Sequence, residues 1–300
     1  MPDYCSYLSD TFIHDIWLKF SSPLKRQKTL LNYLAEINSI CSYLKCDFLD
    51  ITTSSAQTYY DYLFAKGTLT IKSIHTKLGY CRSIGSYIAD NRDILNLSDY
   101  MNPFFRVNIA SYNTFLEPDK VPTLDMIDKL LSYCKKNGDE QLYLIISLVV
   151  RCSLTTSQIC SLKTKMIFID KAGTCCIVFP GKPNLKRLRV PSDVASLLFD
   201  HMNRCGETED VFFNAKGGPL KEVPLQRKMA SLSEQALGRS VTLQDLRNSS
   251  IALMLAGGAP SAEVSTYCDI APRWLYRFNT VVDDIQSDSC DYANFTIKLD

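Results

Sequence analysis

The sequence predicts a mainly α-helical protein with a small antiparallel β-sheet, arranged as a helical N-terminal domain and a larger C-terminal one. Three observations predict it. Apolar residues recur at helical spacing in successive segments between Ser22 and Ile88. A proline-marked stretch without periodicity then runs from Asn102 to Pro122. Beyond it, two short β-type runs flank a polar turn among further helical segments. A chain of 300 residues is long enough to bury a core in each of two domains.

In the first domain, residues 1–101, the segment from Ser22 to Cys46 opens at Pro23. It sets Leu30, Leu31, Leu34, Ile37, Ile40, Cys41 and Leu44 at helical spacing. Ser54-Ser-Ala-Gln57 fits a capping box and starts a second helix through Tyr59, Tyr60, Tyr62 and Leu63, closed by Lys66-Gly67. A third helix begins at Thr70, with Ile71, Ile74, Leu78, Cys81, Ile84 and Ile88 on one face. Residues 102–122 hold Pro103, Pro118 and Pro122 and read as the interdomain linker. In the second domain, residues 123–283, Thr123 caps a helix bearing Leu124, Ile127, Leu130 and Leu131, and Glu140 to Val150 is apolar enough to be buried. Cys175 to Phe179 and Arg187 to Val190 read as strands around Pro180-Gly-Lys-Pro-Asn-Leu-Lys186, and helices resume at Ser192. Residues 284–300 are an Asp-rich tail whose composition suits disorder and equally leaves open docking on a neighbouring subunit.

Lys and Arg number 33 against 32 Asp and Glu, so any contact with nucleic acid must come from local basic patches and not from overall attraction. The 12 cysteines are scattered without a Cys-x-x-Cys pair, and only His14, His75 and His201 offer imidazole. No metal site, disulfide framework or cofactor is expected, and thiols inside apolar segments read as small core residues. The N-terminus lacks the basic and apolar regions of a signal peptide, and no apolar run spans a bilayer. A cytoplasmic protein is expected.

The most informative segment is Val241-Thr-Leu-Gln-Asp-Leu-Arg-Asn-Ser-Ser250, followed by an apolar run to Leu255 and then Gly257-Gly258. It resembles the signature helix of tyrosine recombinases (the phage-integrase family), Thr-x-His-Asp-Leu-Arg-His. Asp245, Leu246 and Arg247 stand where that motif has them, while Gln244 and Asn248 occupy its histidine places. The resemblance implies a helical core-binding domain followed by a recombinase-type catalytic domain, the two gripping duplex DNA. The family's chemistry is attack of a tyrosine hydroxyl on a phosphodiester. Two arginines neutralise the phosphate, a hairpin lysine protonates the departing oxygen, and histidines assist.

Carried onto this chain, the resemblance is uneven. The turn that normally holds the first arginine corresponds to Cys152-Ser-Leu-Thr-Thr-Ser-Gln-Ile159, with Thr155 in the arginine place. Thr155 and Gln158 make a capping box instead. Arg151, one turn earlier, is a conceivable substitute, but a cation near a helix C-terminus is the plainer reading. Gly181-Lys182-Pro-Asn-Leu-Lys186-Arg187-Leu-Arg189-Val-Pro191 resembles the catalytic hairpin, with Lys182 at the lysine place. Lys182, Lys186, Arg187 and Arg189, with no acid from Lys171 to Ser192, suit contact with DNA phosphates. Ungapped counting from Gln244 puts Ile270 at the next histidine and Asn279 at the nucleophile, within Phe278-Asn-Thr-Val-Val282. If the register slips by a turn, Tyr276 is the nucleophile. Trp274 reads as a packing residue.

Lys182, Arg247 and, in the slipped register, Tyr276 are therefore the candidate catalytic residues, and Thr155, Gln244, Ile270 and Asn279 the altered positions. Lys182, Lys186, Arg187, Arg189 and Arg247 are the candidate DNA contacts. The expectation is a double-stranded DNA-binding protein impaired in cleavage, acting on a mobile element with an active recombinase or with further copies of itself. An active recombinase using Tyr276 and a helical protein–protein adaptor are the rival readings.

Overall fold

The computed structural model describes residues 4–179 and 187–287. The chain divides into two compact units, Met1–Asn113 and Thr114–Asp300.

In the first unit a π-helical segment, Thr11–Trp17, runs into the short helix α1 (Leu18–Ser21). Three longer helices follow: α2 (Gln27–Leu44), α3 (Thr53–Ala65) and α4 (Ile71–Asp90). Leu34, Ile37, Ile40 and Cys41 of α2 meet Tyr59, Tyr60, Leu78, Cys81 and Ile84 in one apolar core. Helix α2 begins at Gln27, after Pro23. Helix α3 is capped by Thr52 in place of Ser54: its hydroxyl accepts from Ser55 N, and Ser55 Oγ accepts from Thr52 N at 2.9 Å. Both residue pairs have capping chemistry, and the one whose cap is in extended conformation prevails.

The expected linker is not free chain. Asn102 caps a 3₁₀ turn, Pro103–Arg106, and its amide donates to the carbonyl of Arg82 at 2.9 Å. Arg82 in turn donates to the carbonyls of Phe104 (3.0 Å) and Val107 (3.1 Å), and Phe104 is fully buried. Gly85 permits this approach, since a Cβ there would lie 2.5 Å from Asn102 Oδ1. From Thr114 onward the chain is tied instead to the second unit: Leu116 N donates to Arg277 O at 2.9 Å, and Val121 is buried against Ile251 and Val281. Buried aromatic and aliphatic side chains override the proline signal.

The second unit contains α5 (Leu124–Lys136), α6 (Glu140–Cys152), α7 (Thr156–Cys160), α8 (Ser192–Cys205), α9 (Glu222–Leu237), α10 (Leu243–Ala256) and α11 (Ser261–Cys268). A 3₁₀ helix, Pro272–Phe278, leads into α12 (Asn279–Ser287). Helix α6 is its centre, with Leu142, Leu144, Ile145, Ile146, Leu148 and Val149 all buried. Strands β1 (Ile167–Ile169), β2 (Cys175–Ile177) and β3 (Leu188–Arg189) form one antiparallel sheet in that order. Phe168 pairs with Cys176, which pairs with Arg189. The sequence pattern misses β1 and draws β2 and β3 too long. The Asp-rich tail begins within α12, and its residues 288–300 lie outside the described part.

Cys134, Cys152, Cys175 and Cys268 are buried as free thiols. Burial pushes Cys134 up to about 11 and Cys152 up to about 12, so they behave as core residues. Among the described residues no helix is long and apolar enough to cross a membrane.

Candidate DNA-processing site

The signature segment forms the first turns of α10. Thr242 Oγ1 accepts from Asp245 N at 3.1 Å, and Asp245 Oδ2 accepts from Thr242 N (2.9 Å) and Oγ1 (2.7 Å). Two of the motif's residues thus make a capping box, and the carboxylate also favours the positive end of the helix.

Arg247, one turn on, faces inward and is 8% exposed. Its Nε donates to the carbonyl of Ser153 at 2.8 Å and its Nη2 to that of Cys268. Burial lowers its pKa from the usual guanidinium value. Ser153 has φ 53°, and Asp269, directly after Cys268, has φ 51°. Both bends are in the left-handed region, where helices end and carbonyls lose their intrahelical donors. Arg247 satisfies one carbonyl at each bend and so joins the end of α6 to the end of α11. On the same helix Gln244 is exposed and donates to Asn248 Oδ1 at 3.0 Å, so the two histidine places bond to each other.

Thr155 is the N-cap of α7. Gln158 N donates to its Oγ1 at 3.2 Å, and Gln158 Oε1 accepts from Thr155 N at 2.8 Å. Arg151 is exposed in the last turn of α6, 3.5 Å from Asp193 Oδ1, a pairing that solvent weakens.

Lys182 and Lys186 lie outside the described residues. Arg187 and Arg189 are exposed on β3 and its leading edge, while Leu188 and Val190 between them are buried. Arg187 lies over the Phe168 ring, 5.4 Å from its centroid. Asp170, a carboxyl near both arginines, is held below its ordinary range first by the amide of Thr174 and that of Ala172, then by Arg189 and Arg187.

Tyr276 is 41% exposed. Its hydroxyl pairs with Thr114 Oγ1 at 2.9 Å, and its ring meets Phe115 edge-on at 5.6 Å. Asn279 opens α12 on the surface, and Ile270 packs beside the cluster around Val264 and Phe278. The hydrogen bonds of Tyr276 and Arg247 go to different partners, Thr114 for the one and the carbonyls of Ser153 and Cys268 for the other. Trp274, expected as packing, is 42% exposed.

A cavity of about 980 Å³ opens beside these elements, lined among others by Arg151, Gln158, Arg187, Ser250, Tyr267 and Asp269. It brings together the α6–α7 turn, β3, α10 and α11. Tyr267 carries a role that sequence reasoning passes over. Its hydroxyl faces the carbonyls of Arg151 (3.1 Å) and Arg189 (3.3 Å), pinning β3 to the end of α6. Burial first, then the Cys152 thiol, raises its pKa above the usual phenol value. A tyrosine on an eight-residue helix has no local sequence signal for such a long-range bond.

No family model and no curated relative matches the chain. Solved structures do. The chain has the fold of the tyrosine recombinases. XerH site-specific recombinase bound to palindromic difH substrate is similar at a TM-score of 0.68 and 14% identity, over 87% of this chain and 79% of that one. The Tn1549 transposon integrase in complex with a circular intermediate DNA gives 0.66 and 13%, over 91% and 98%. A lambda integrase dimer bound to a COC′ core site gives 0.65 and 16%, over 90% and 77%.

Proposed function

We propose that this chain binds duplex DNA with a recombinase-type fold and is impaired in strand cleavage. On this reading it acts in the recombination or integration of a mobile element, in the cytoplasm, beside an active recombinase or a second copy of itself. The observation that carries the reading is the fate of the two arginine places. One holds a helix cap, Thr155 with Gln158, and the other holds an arginine bonded to two backbone carbonyls.

Phosphodiester attack concentrates negative charge on the non-bridging oxygens, and the loss of one stabilising donor costs about a hundred- to thousandfold in rate. Among the described residues the Tyr276 hydroxyl bonds to a threonine, which is neither a cation nor a base, and Asn279 offers no covalent route at all. Binding asks for less. The outward pair Arg187 and Arg189 fits phosphate contact, with Lys182 and Lys186 adding charge to the same hairpin. The solved relatives that are DNA complexes support the same role. The free thiols fit a reducing compartment.

The test is DNA affinity across a salt series, with a denaturing gel on the same samples and a nicked suicide duplex as substrate. Salt-sensitive binding without a covalent band is expected. Arg187→Glu with Arg189→Glu lowers affinity and flattens the log–log salt slope by about 0.9 for each phosphate no longer neutralised. A covalent band that Tyr276→Phe abolishes establishes an active recombinase instead. Absence of binding at low salt removes DNA from the account and leaves a protein–protein adaptor.

A further inference from the structure

The 3₁₀ helix Pro272–Phe278 has two faces. Residues three apart eclipse in such a helix, so Leu275 and Phe278 turn inward together, 6% and 2% exposed. Trp274 and Arg277 share another face. The helix is held from behind: Leu116 N donates to Arg277 O at 2.9 Å, Thr280 Oγ1 donates to Leu116 O at 2.7 Å, and Arg277 Nε donates to Thr114 O at 2.8 Å. Of the chain's two tryptophans, Trp17 is buried and Trp274 is not. The guanidinium carbons of Arg273 and Arg277 each lie 5.9 Å from the Trp274 ring centroid, within cation–π range. Among the described residues no carboxylate pairs with either arginine.

An indole presented to solvent between two guanidiniums that no carboxylate engages among the described residues is matched to a flat π-system that carries negative charge at its edges. A nucleotide has both. Inside a duplex each base face is covered by its neighbours, so the indole can reach only a base that has left the stack. Resting on the DNA-binding reading above, we propose that Trp274 stacks an unpaired base of the bound DNA. The exposed Arg273 yields its place at the ring to the base, and Arg273 and Arg277 take the flanking phosphates. The contact is indifferent to sequence, because every base offers a π-face. It gives the protein a preference for DNA with locally separated strands over intact duplex.

The experiment uses the full chain and two probes, an intact duplex and the same duplex with a short single-stranded gap. The gapped probe binds more tightly and quenches the emission that distinguishes wild type from Trp274→Phe. Trp274→Ala weakens gapped-duplex binding by about 5- to 150-fold, the range of one stacked base. It leaves intact-duplex binding as it was. Equal binding of both probes, or an equal loss on both in Trp274→Ala, overturns the proposal while leaving DNA binding in place. If wild type binds neither probe, the DNA-binding reading falls and this proposal with it.

Discussion

Helices α7 and α10 begin with the same device and end in opposite chemistry. Each is opened by a threonine whose hydroxyl accepts from the third residue on, with that residue's side chain reaching back. At α10 the cap stands five residues before an arginine. At α7 the cap stands where the resemblance puts an arginine. Both helices carry the capping geometry, and the arginine in the first turns of α10 is turned into the core. Arg247 is the better explained by its two carbonyls than by any phosphate, since an arginine useful only for phosphate would face solvent. The difference teaches that the residues of such a motif can serve the fold directly, through a cap and through buried bonds to backbone carbonyls.

The sharpest way to break this comparison is Arg247→Ala. It leaves the carbonyls of Ser153 and Cys268 buried without donors and opens space under α10. A loss of about 3–5 kcal/mol is expected, from two unsatisfied buried acceptors and their charged donor. Urea unfolding of the full chain reads it as a lower midpoint. A loss under about 1 kcal/mol, typical of a surface side chain, would return Arg247 to the role of a free phosphate ligand.

Next in size are the caps themselves. Thr155→Ala and Thr242→Ala are each expected to cost about 1 kcal/mol, and the pair about twice that, because the sites share no partner. Thr155→Arg tests the same point from the other side. It restores the family's residue type and still loses the cap, so its stability should match that of the alanine variant. If Thr155→Arg is as stable as wild type, the capping account of α7 is wrong.

The fold is largely legible because long amphipathic helices announce themselves. Leu34, Ile37 and Cys41, or Ile74, Leu78 and Cys81, are spaced by the helix period and are buried in the structure. What escapes is what depends on distant partners. Ile167–Ile169 is too short to read as a strand until Cys175–Ile177 lies beside it. Asn102 to Val107 looks like linker because nothing local reveals that Gly85 leaves room for it. At the site, the resemblance singles out Thr155, Gln244 and Arg247, yet nothing local to Arg247 tells an arginine facing outward from one turned into the core. Its inward turn is set by two backbone bends, at Ser153 and Asp269, that lie 94 and 22 positions away. The Thr242–Asp245 capping box is readable from spacing alone and is hidden by its place inside a catalytic motif.

The smallest effect expected concerns Tyr267, which ties β3 to the same α6 end that Arg247 holds. Tyr267→Phe removes one hydroxyl shared between two carbonyls, so about 0.5–1.5 kcal/mol is expected at neutral pH. The pH dependence gives the test its specificity. The folded-state pKa is raised above the unfolded value of 10.0, so the neutral hydroxyl is what the fold favours. Its contribution is complete below pH 10 and is lost as pH rises through the higher folded value, because the unfolded chain then gains by ionising first. The stability difference between wild type and Tyr267→Phe should therefore shrink above pH 10, while the other tyrosines, common to both proteins, cancel. A difference that stays constant through that range would mean that the hydroxyl is not held by the fold, and that β3, with its arginines, is fixed to α6 by packing alone.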